Sequence, residues 1–178
     1  GITYLKVRSE YLEAWGLEKD DVLHEALLNS YRILPPRIYD FKKMMYTPGY
    51  AGEDFLNMDP YFISDKKKKE GICLSVKGLS NGAVAVLYPG VIKKLVEFMD
   101  GGFYVVFSSV HEALIYSSKL CSLEELENLL RTSNARMTFQ KEFLTDKVYY
   151  YCKEEDKFIM LRGSMKMLVT TIRMDEEN

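Results

Sequence analysis

The stretch that decides the fold runs from Ile72 to Tyr116 and reads ICLSVKGLSNGAVAVLYPGVIKKLVEFMDGGFYVVFSSVHEALIY. Ile72 to Val76 and Ala83 to Tyr88 are apolar, β-branched runs of strand length. The residues between them end in Asn81-Gly82, a strong turn dipeptide, so the two runs are expected to pair as a hairpin. Pro89 then suits the first position of a helix. Val91, Ile92, Leu95, Val96 and Met99 recur at helical spacing on one face, Lys93, Lys94 and Glu97 lie on the other, and Gly101-Gly102 supplies a stop. Phe103 to Phe107 and Ala113 to Tyr116 are again strand-like, separated by the polar interruption Ser108-Ser109-Val110-His111-Glu112.

Downstream, Ser122 followed three residues later by Glu125 is a capping box. It opens a helix whose Leu123, Leu126, Leu129 and Leu130 form a stripe and which is expected to end after Asn134. Lys147 to Cys152 and Lys157 to Arg162 read as a second hairpin, and Met165 to Ile172 as a further strand. Upstream, Ile2 to Val7 is compatible with a short strand. Ser9 is placed to cap a helix reaching Trp15, with Gly16 as its stop. Asp20 is placed to cap a longer helix with Val22, Leu23, Ala26, Leu27 and Tyr31 inward, ended by Pro35-Pro36. Residues 37 to 71 read as a long connection with at most a turn or two of helix. Strands in hairpin order interleaved with helices indicate an α+β domain, with an antiparallel or mixed central sheet and about three main helices packed on it.

Composition narrows the function. The chain has 178 residues, 47% hydrophobic and 28% charged, which is the range of a globular protein with a true core. A net charge of -2 gives no positive field for a nucleic-acid backbone, so no nucleic-acid partner is expected. The longest apolar runs fall well short of a bilayer span of roughly 20 residues, so no membrane segment is expected. Cys73, Cys121 and Cys152 form neither a CxxC pair nor an even disulfide set, which suggests reduced thiols and a cytoplasmic location. Gly1 in place of methionine suggests a cleavage scar or a trimmed start.

Few chemistries survive this inspection. His24 and His111 each open a His-Glu-Ala-Leu string, but the second histidine of a zinc-protease helix is replaced by Leu28 or Ile115, so no metal site is expected. Gly78 to Gly82 lacks the Lys-Ser/Thr of a phosphate-binding loop, and no cofactor is indicated. Lys66 to Lys69 reads as a solvated tip, and alternate rings of Tyr149 to Tyr151 face opposite sides of a strand. What remains is the polar interruption. Ser109, His111 and Glu112 supply the types of a nucleophile, a base and a carboxylate and are the candidate catalytic residues; Ser108 and Asn81 are the candidate ligand-binding residues beside them. On an extended strand Ser109 and His111 stand about 6.5 to 7 Å apart, so a direct hydrogen bond between them needs a bulge or a turn.

The strings Asn81-Gly82-Ala83, Leu87-Tyr88-Pro89-Gly90-Val91 and Gly102-Phe103-Tyr104 running into Ser108-Ser109-Val110-His111-Glu112 resemble a family of uncharacterised bacterial proteins, the domain of unknown function numbered 5688. Trp15-Gly16, Pro35-Pro36-Arg37-Ile38 and Leu144-Thr145-Asp146-Lys147-Val148-Tyr149 extend the likeness, which covers about residues 9 to 152. The resemblance implies a protein of anaerobic, largely gut, Gram-positive bacteria with no established activity. Family members usually carry proline at the position of Phe107 and are longer upstream, and the tail from about Phe158 matches poorly.

The chain is therefore expected to be a single domain over residues 1 to 178, with a C-terminal strand extension at about 157 to 174. Its expected role is a non-enzymatic interaction module that binds a protein partner or self-associates, with Met and Tyr supplying an adaptable contact surface. The alternative is a small-ligand-binding or hydrolase-like enzyme centred on Ser109, His111 and Glu112.

Overall fold

A computed structural model describes residues 7–137, 142–162 and 165–168. Its centre is the pair β4 (Phe103–Phe107) and β5 (Ala113–Ser117), aligned antiparallel from Phe103 opposite Ser117 to Phe107 opposite Ala113. On one side the sheet grows through β3 (Ile72–Val76), β1 (Pro36–Tyr39) and β2 (Glu53–Asp54). On the other it grows through β6 (Val148–Cys152), β7 (Lys157–Arg162) and β8 (Met165–Leu168). The order is β2-β1-β3-β5-β4-β6-β7-β8 and every pairing among these strands is antiparallel. The class is α+β, as the hairpin pattern predicts, and the sheet is antiparallel.

Strand alternation divides the core in two. Ile38, Leu74, Ile115, Val105 and Phe103 face a large apolar cluster completed by Leu27 of α2 (Lys19–Ile33) and by Val91, Leu95, Phe98 and Met99 of α5 (Val91–Met99). Val106, Tyr116 and Val148 face the other way, against Leu126 and Leu130 of α6 (Leu123–Met137). Each fully buried Leu, Phe or Met contributes about 1.5–3 kcal/mol relative to exposure. These three are the main helices. The end of α5 is marked by Asp100 at φ 54°, which lets Gly101 N–H reach back to the Val96 carbonyl at 3.1 Å. The capping box of α6 is present: Glu125 N–H donates to Ser122 Oγ (3.3 Å) and Ser122 N–H to Glu125 Oε2 (2.8 Å).

Several expectations are corrected. Ala83 to Tyr88 is not the second strand of a hairpin: Gly82–Leu87 winds as a 3-10 turn, with Leu79 and Asn81 at positive φ before it. Gly82, Ala83 and Ala85 are buried in this turn, and at Gly82 there is no room for a side chain, since an added Cβ would meet Ser75 Oγ and backbone atoms of His111 and Val76. The connection from 37 to 71 is far more ordered than expected. It holds β1, β2, a 3-10 turn at Pro60–Phe62, and the short helices α3 (Phe41–Tyr46) and α4 (Asp65–Glu70). Asp40 caps α3 through the N–H groups of Lys42 and Lys43, and Ser64 caps α4 through that of Lys67. The Lys66 to Lys69 run is thus the body of a helix rather than a loop tip, with Lys67 paired to Asp40.

The first two helices lack the expected caps. Ser9 is the first residue of α1 (Ser9–Trp15), after Arg8, and α2 starts after Glu18, neither with a side-chain cap. Only Leu27 of the α2 stripe is buried, while Leu23 and Ala26 are exposed, as is Leu129 of α6. Helix α6 continues past Asn134 to Met137. Residues 2–6 of the expected first strand and 169–172 of the last lie outside the described residues, and Val7 belongs to no strand.

Candidate functional site

The five residues from Ser108 to Glu112 form the loop of the β4–β5 hairpin. Ser109 is buried at its start, and its Oγ accepts the His111 N–H at 3.0 Å, a local turn that reverses the chain. Glu112 closes the loop from the other end. Its carboxylate accepts the Ser108 hydroxyl at 2.6 Å and the Ser109 hydroxyl at 3.1 Å. Glu112 also stands close enough to Cys73 to act on it: burial first, then the Glu112 charge, pushes that thiol up to about 12.

His111 points elsewhere. Its Nδ1 accepts the Asn81 N–H at 3.1 Å and its carbonyl accepts the Ser75 hydroxyl at 2.6 Å. The bond from Asn81 fixes the neutral tautomer with the proton on Nε2, and Nε2 faces Glu142 Oε1 at 3.7 Å. The His111 and Glu142 side chains are 34% and 41% exposed. Val110 ties the same two flanks through its backbone, donating to the Glu142 carbonyl (2.9 Å) and accepting from Ala83 N–H (3.1 Å). The loop therefore clamps the 81–83 segment on one side and residue 142 on the other.

Gly82 is what lets this clamp close. A Cβ there would overlap Ser75 Oγ outright and stand 2.7 Å from the His111 carbonyl oxygen and the Val76 nitrogen. The chain thus wedges between the end of β3 and the hairpin loop at a spacing that only glycine allows.

Beside the wedge lies a depression of about 330 Å³ lined by Asn81, Ala83, Val84, Val86, Leu87, Phe107, Val110 and Leu144. Asn81 is the one residue of that lining with a polar side chain, and Leu144 at the rim is 49% exposed. The depression sits on the side of the sheet where Phe107 joins the larger core cluster. Leu114 and Val106 belong to the opposite face, so strand alternation sends Glu112 and Ser108, two residues from each, to the far side.

Of the residues singled out by sequence, the structure brings Ser108, Ser109 and Glu112 together and separately brings His111 to Asn81. Ser109 bonds Glu112 and not the imidazole, whose one neutral lone pair is taken by the Asn81 amide. Ser75, Gly82, Glu142 and Leu144 complete the arrangement and were not read from sequence. The lone serine inside the apolar run of β3 was a usable signal for the first; nothing local marks the other end of the clamp. Among the described residues no group of three or more His, Cys, Asp or Glu is arranged to hold a metal ion, and no helix is long and apolar enough to cross a membrane.

Comparison with known proteins fits this isolation. No curated protein and no solved structure matches the chain. One family model does match, that of a family of unknown function, DUF5688, over residues 1–153, and the chain belongs to that family.

Proposed function

We propose that the chain is a single-domain, non-enzymatic interaction module of the cytoplasm, and that the depression beside Val110 receives a large apolar anchor side chain from a protein partner. The observation that carries this reading is the placement of His111: its Nδ1 lone pair is turned to the Asn81 amide and away from the Ser109 hydroxyl, which bonds Glu112 instead, so no nucleophile and base are paired. The apolar lining gives the complementary half of the argument, since a pocket built for turnover converges several polar groups and this one offers Asn81. Free cysteines suit a reducing compartment, and the net charge of -2 favours a protein over a nucleic acid as partner.

The test is to pan a displayed random-peptide library on the whole chain and on Leu144→Asp, a substitution at an exposed position whose folding is checked by its urea unfolding curve. The expected result is enrichment of peptides sharing one aromatic or large aliphatic position, with at least tenfold weaker binding to the variant. The alternative, hydrolase-like reading draws on the hydroxyls gathered by Glu112. Turnover of p-nitrophenyl acetate that disappears in both Ser109→Ala and Glu112→Gln would replace the binding reading with it, and peptides that bind Leu144→Asp equally well would remove the depression from it.

A further inference from the structure

We propose that His111 is a two-position, proton-operated latch on the rim of the depression; what the latch controls rests on the binding reading above, whereas the latch itself rests on hydrogen-bond geometry. A neutral imidazole presents one acceptor and one donor: here Nδ1 accepts the Asn81 N–H, and Nε2 lies 3.7 Å from Glu142 Oε1, beyond hydrogen-bond distance. An imidazolium presents two donors. Protonation therefore sets N–H against N–H at Asn81 and at the same time strengthens the attraction to Glu142.

The groups that face the ring come from three directions. From the far flank comes Glu142, with Oε1 3.7 Å from Nε2, whereas the loop's own Glu112 is turned to the opposite side, its carboxylate held by Ser108 and Ser109. From β3 comes Ser75, whose hydroxyl is bonded to the His111 carbonyl. The 81–83 segment offers the Asn81 amide. The Glu142 carboxylate favours the charged ring and the Asn81 amide donor the neutral one, so the ring's position reports its charge.

This matters at the depression because Asn81 lines it and sits at φ 55°, a left-handed conformation that costs a non-glycine residue energy and is held by its neighbours. Withdrawing the acceptor from Asn81 N–H frees the Leu79 to Asn81 turn on that rim, while residue 142, two positions before Leu144 on the opposite rim, is drawn toward the ring. Acidification thus reshapes both walls at once.

The experiment is a ¹H–¹⁵N NMR pH titration of the full chain, following the His111 ring and the Asn81 amide together, in the wild type and in His111→Asn, whose side-chain oxygen keeps an acceptor at the Nδ1 position without titrating. The latch predicts that the Asn81 amide shifts with the same midpoint as the ring in the wild type and stays flat in His111→Asn. An Asn81 amide that ignores the ring, or titrates equally in the variant, overturns it. Should His111→Asn fail to fold, Glu142→Gln serves: removing the carboxylate is expected to move the shared Asn81 and ring midpoint to lower pH, and an unmoved midpoint refutes the two-position mechanism. Toluene, read on the methyl groups of Val84 and Leu87, probes the coupling. Its affinity is expected to fall about fivefold on protonation, the equivalent of one hydrogen bond, and to be pH-independent in His111→Asn. Equal affinity at pH 5.5 and 7.5 in the wild type refutes control of the depression. Toluene that binds at neither pH counts against the binding reading alone, leaving the latch to be judged on the Asn81 amide.

Discussion

Replacing Gly82 by alanine adds one methyl group and is expected to be among the most damaging small changes in the chain. The new Cβ overlaps Ser75 Oγ and presses on two backbone atoms, the His111 carbonyl oxygen and the Val76 nitrogen, each 2.7 Å away. Neither backbone atom yields without opening the end of the sheet, so the hydroxyl must rotate away, and the part-buried His111 carbonyl loses its 2.6 Å donor. Leaving a buried acceptor unsatisfied costs about 1–3 kcal/mol, and residual overpacking costs about 1–3 kcal/mol more. Alanine returns up to about 1 kcal/mol by restricting the unfolded chain. The net loss is about 1–6 kcal/mol, a sizeable part of the roughly 5–15 kcal/mol by which domains of this kind are stable. At about 2–4 °C per kcal/mol for a chain of this length, Tm falls by about 2–24 °C. Urea unfolding of the wild type, Gly82→Ala, Ser75→Ala and the double variant gives the coupling directly. Ser75→Ala makes room for the methyl group, so the double variant is expected to be more stable than the sum of the single losses implies, with the backbone contacts keeping the rescue partial. A Gly82→Ala protein within about 0.5 kcal/mol of the wild type, or strictly additive losses, refutes the wedge.

The remaining expectations concern single groups. The Lys67 ammonium beside Asp40, together with the N–H of Lys43, holds the Asp40 carboxyl down at about 2. A depressed carboxyl stabilises the fold above its unfolded pKa and loses that contribution as pH falls from about 4 to about 2. Asp40→Asn should therefore flatten the acid limb of the urea midpoint between those values, and an unchanged acid limb would contradict the pairing. Cys73, raised to about 12 by burial and by Glu112, should resist a thiol reagent at pH 8 in the native protein, with half-buried Cys121 reacting first; early labelling of Cys73 in a peptide map would show that β3 opens locally. Ser122→Ala removes the hydroxyl half of the α6 capping box and should cost about 1 kcal/mol in urea unfolding, without moving the NMR signals of Asn81 or Val110.

The strands from Phe103 onward were legible because each is a short β-rich run beside a neighbour in sequence, and because the capping box of α6 is a local signature. Gly82–Leu87 was not, since its Val and Leu content is that of a strand and only its small residues, seated against β3 and the hairpin loop, make it a turn. Nor was β1, four residues opening on Pro36, whose partner Val76 lies far along the chain. The residues of the site were visible, but their partners were not. Periodicity places Ser109 and His111 on one face; it carries no information on Glu142 or Asn81 arriving from elsewhere to claim the imidazole.

The strand order also sets a schedule for synthesis. Strand β3 bonds β1 on one edge and β5 on the other, yet β5 follows it by a whole helix and a strand. On a ribosome adding about 5–20 residues per second, β3 waits roughly 2–8 s with its inner edge unpaired before Ser117 emerges. Strand β4 waits about as long for β6, which follows it by a strand and a whole helix, whereas β5, β7 and β8 each pair with the strand just made. The vulnerable interval for aggregation thus belongs to the nascent chain ending between Val76 and Cys152, and ribosome-bound chains stalled there are expected to recruit a chaperone that chains stalled after Arg162 do not.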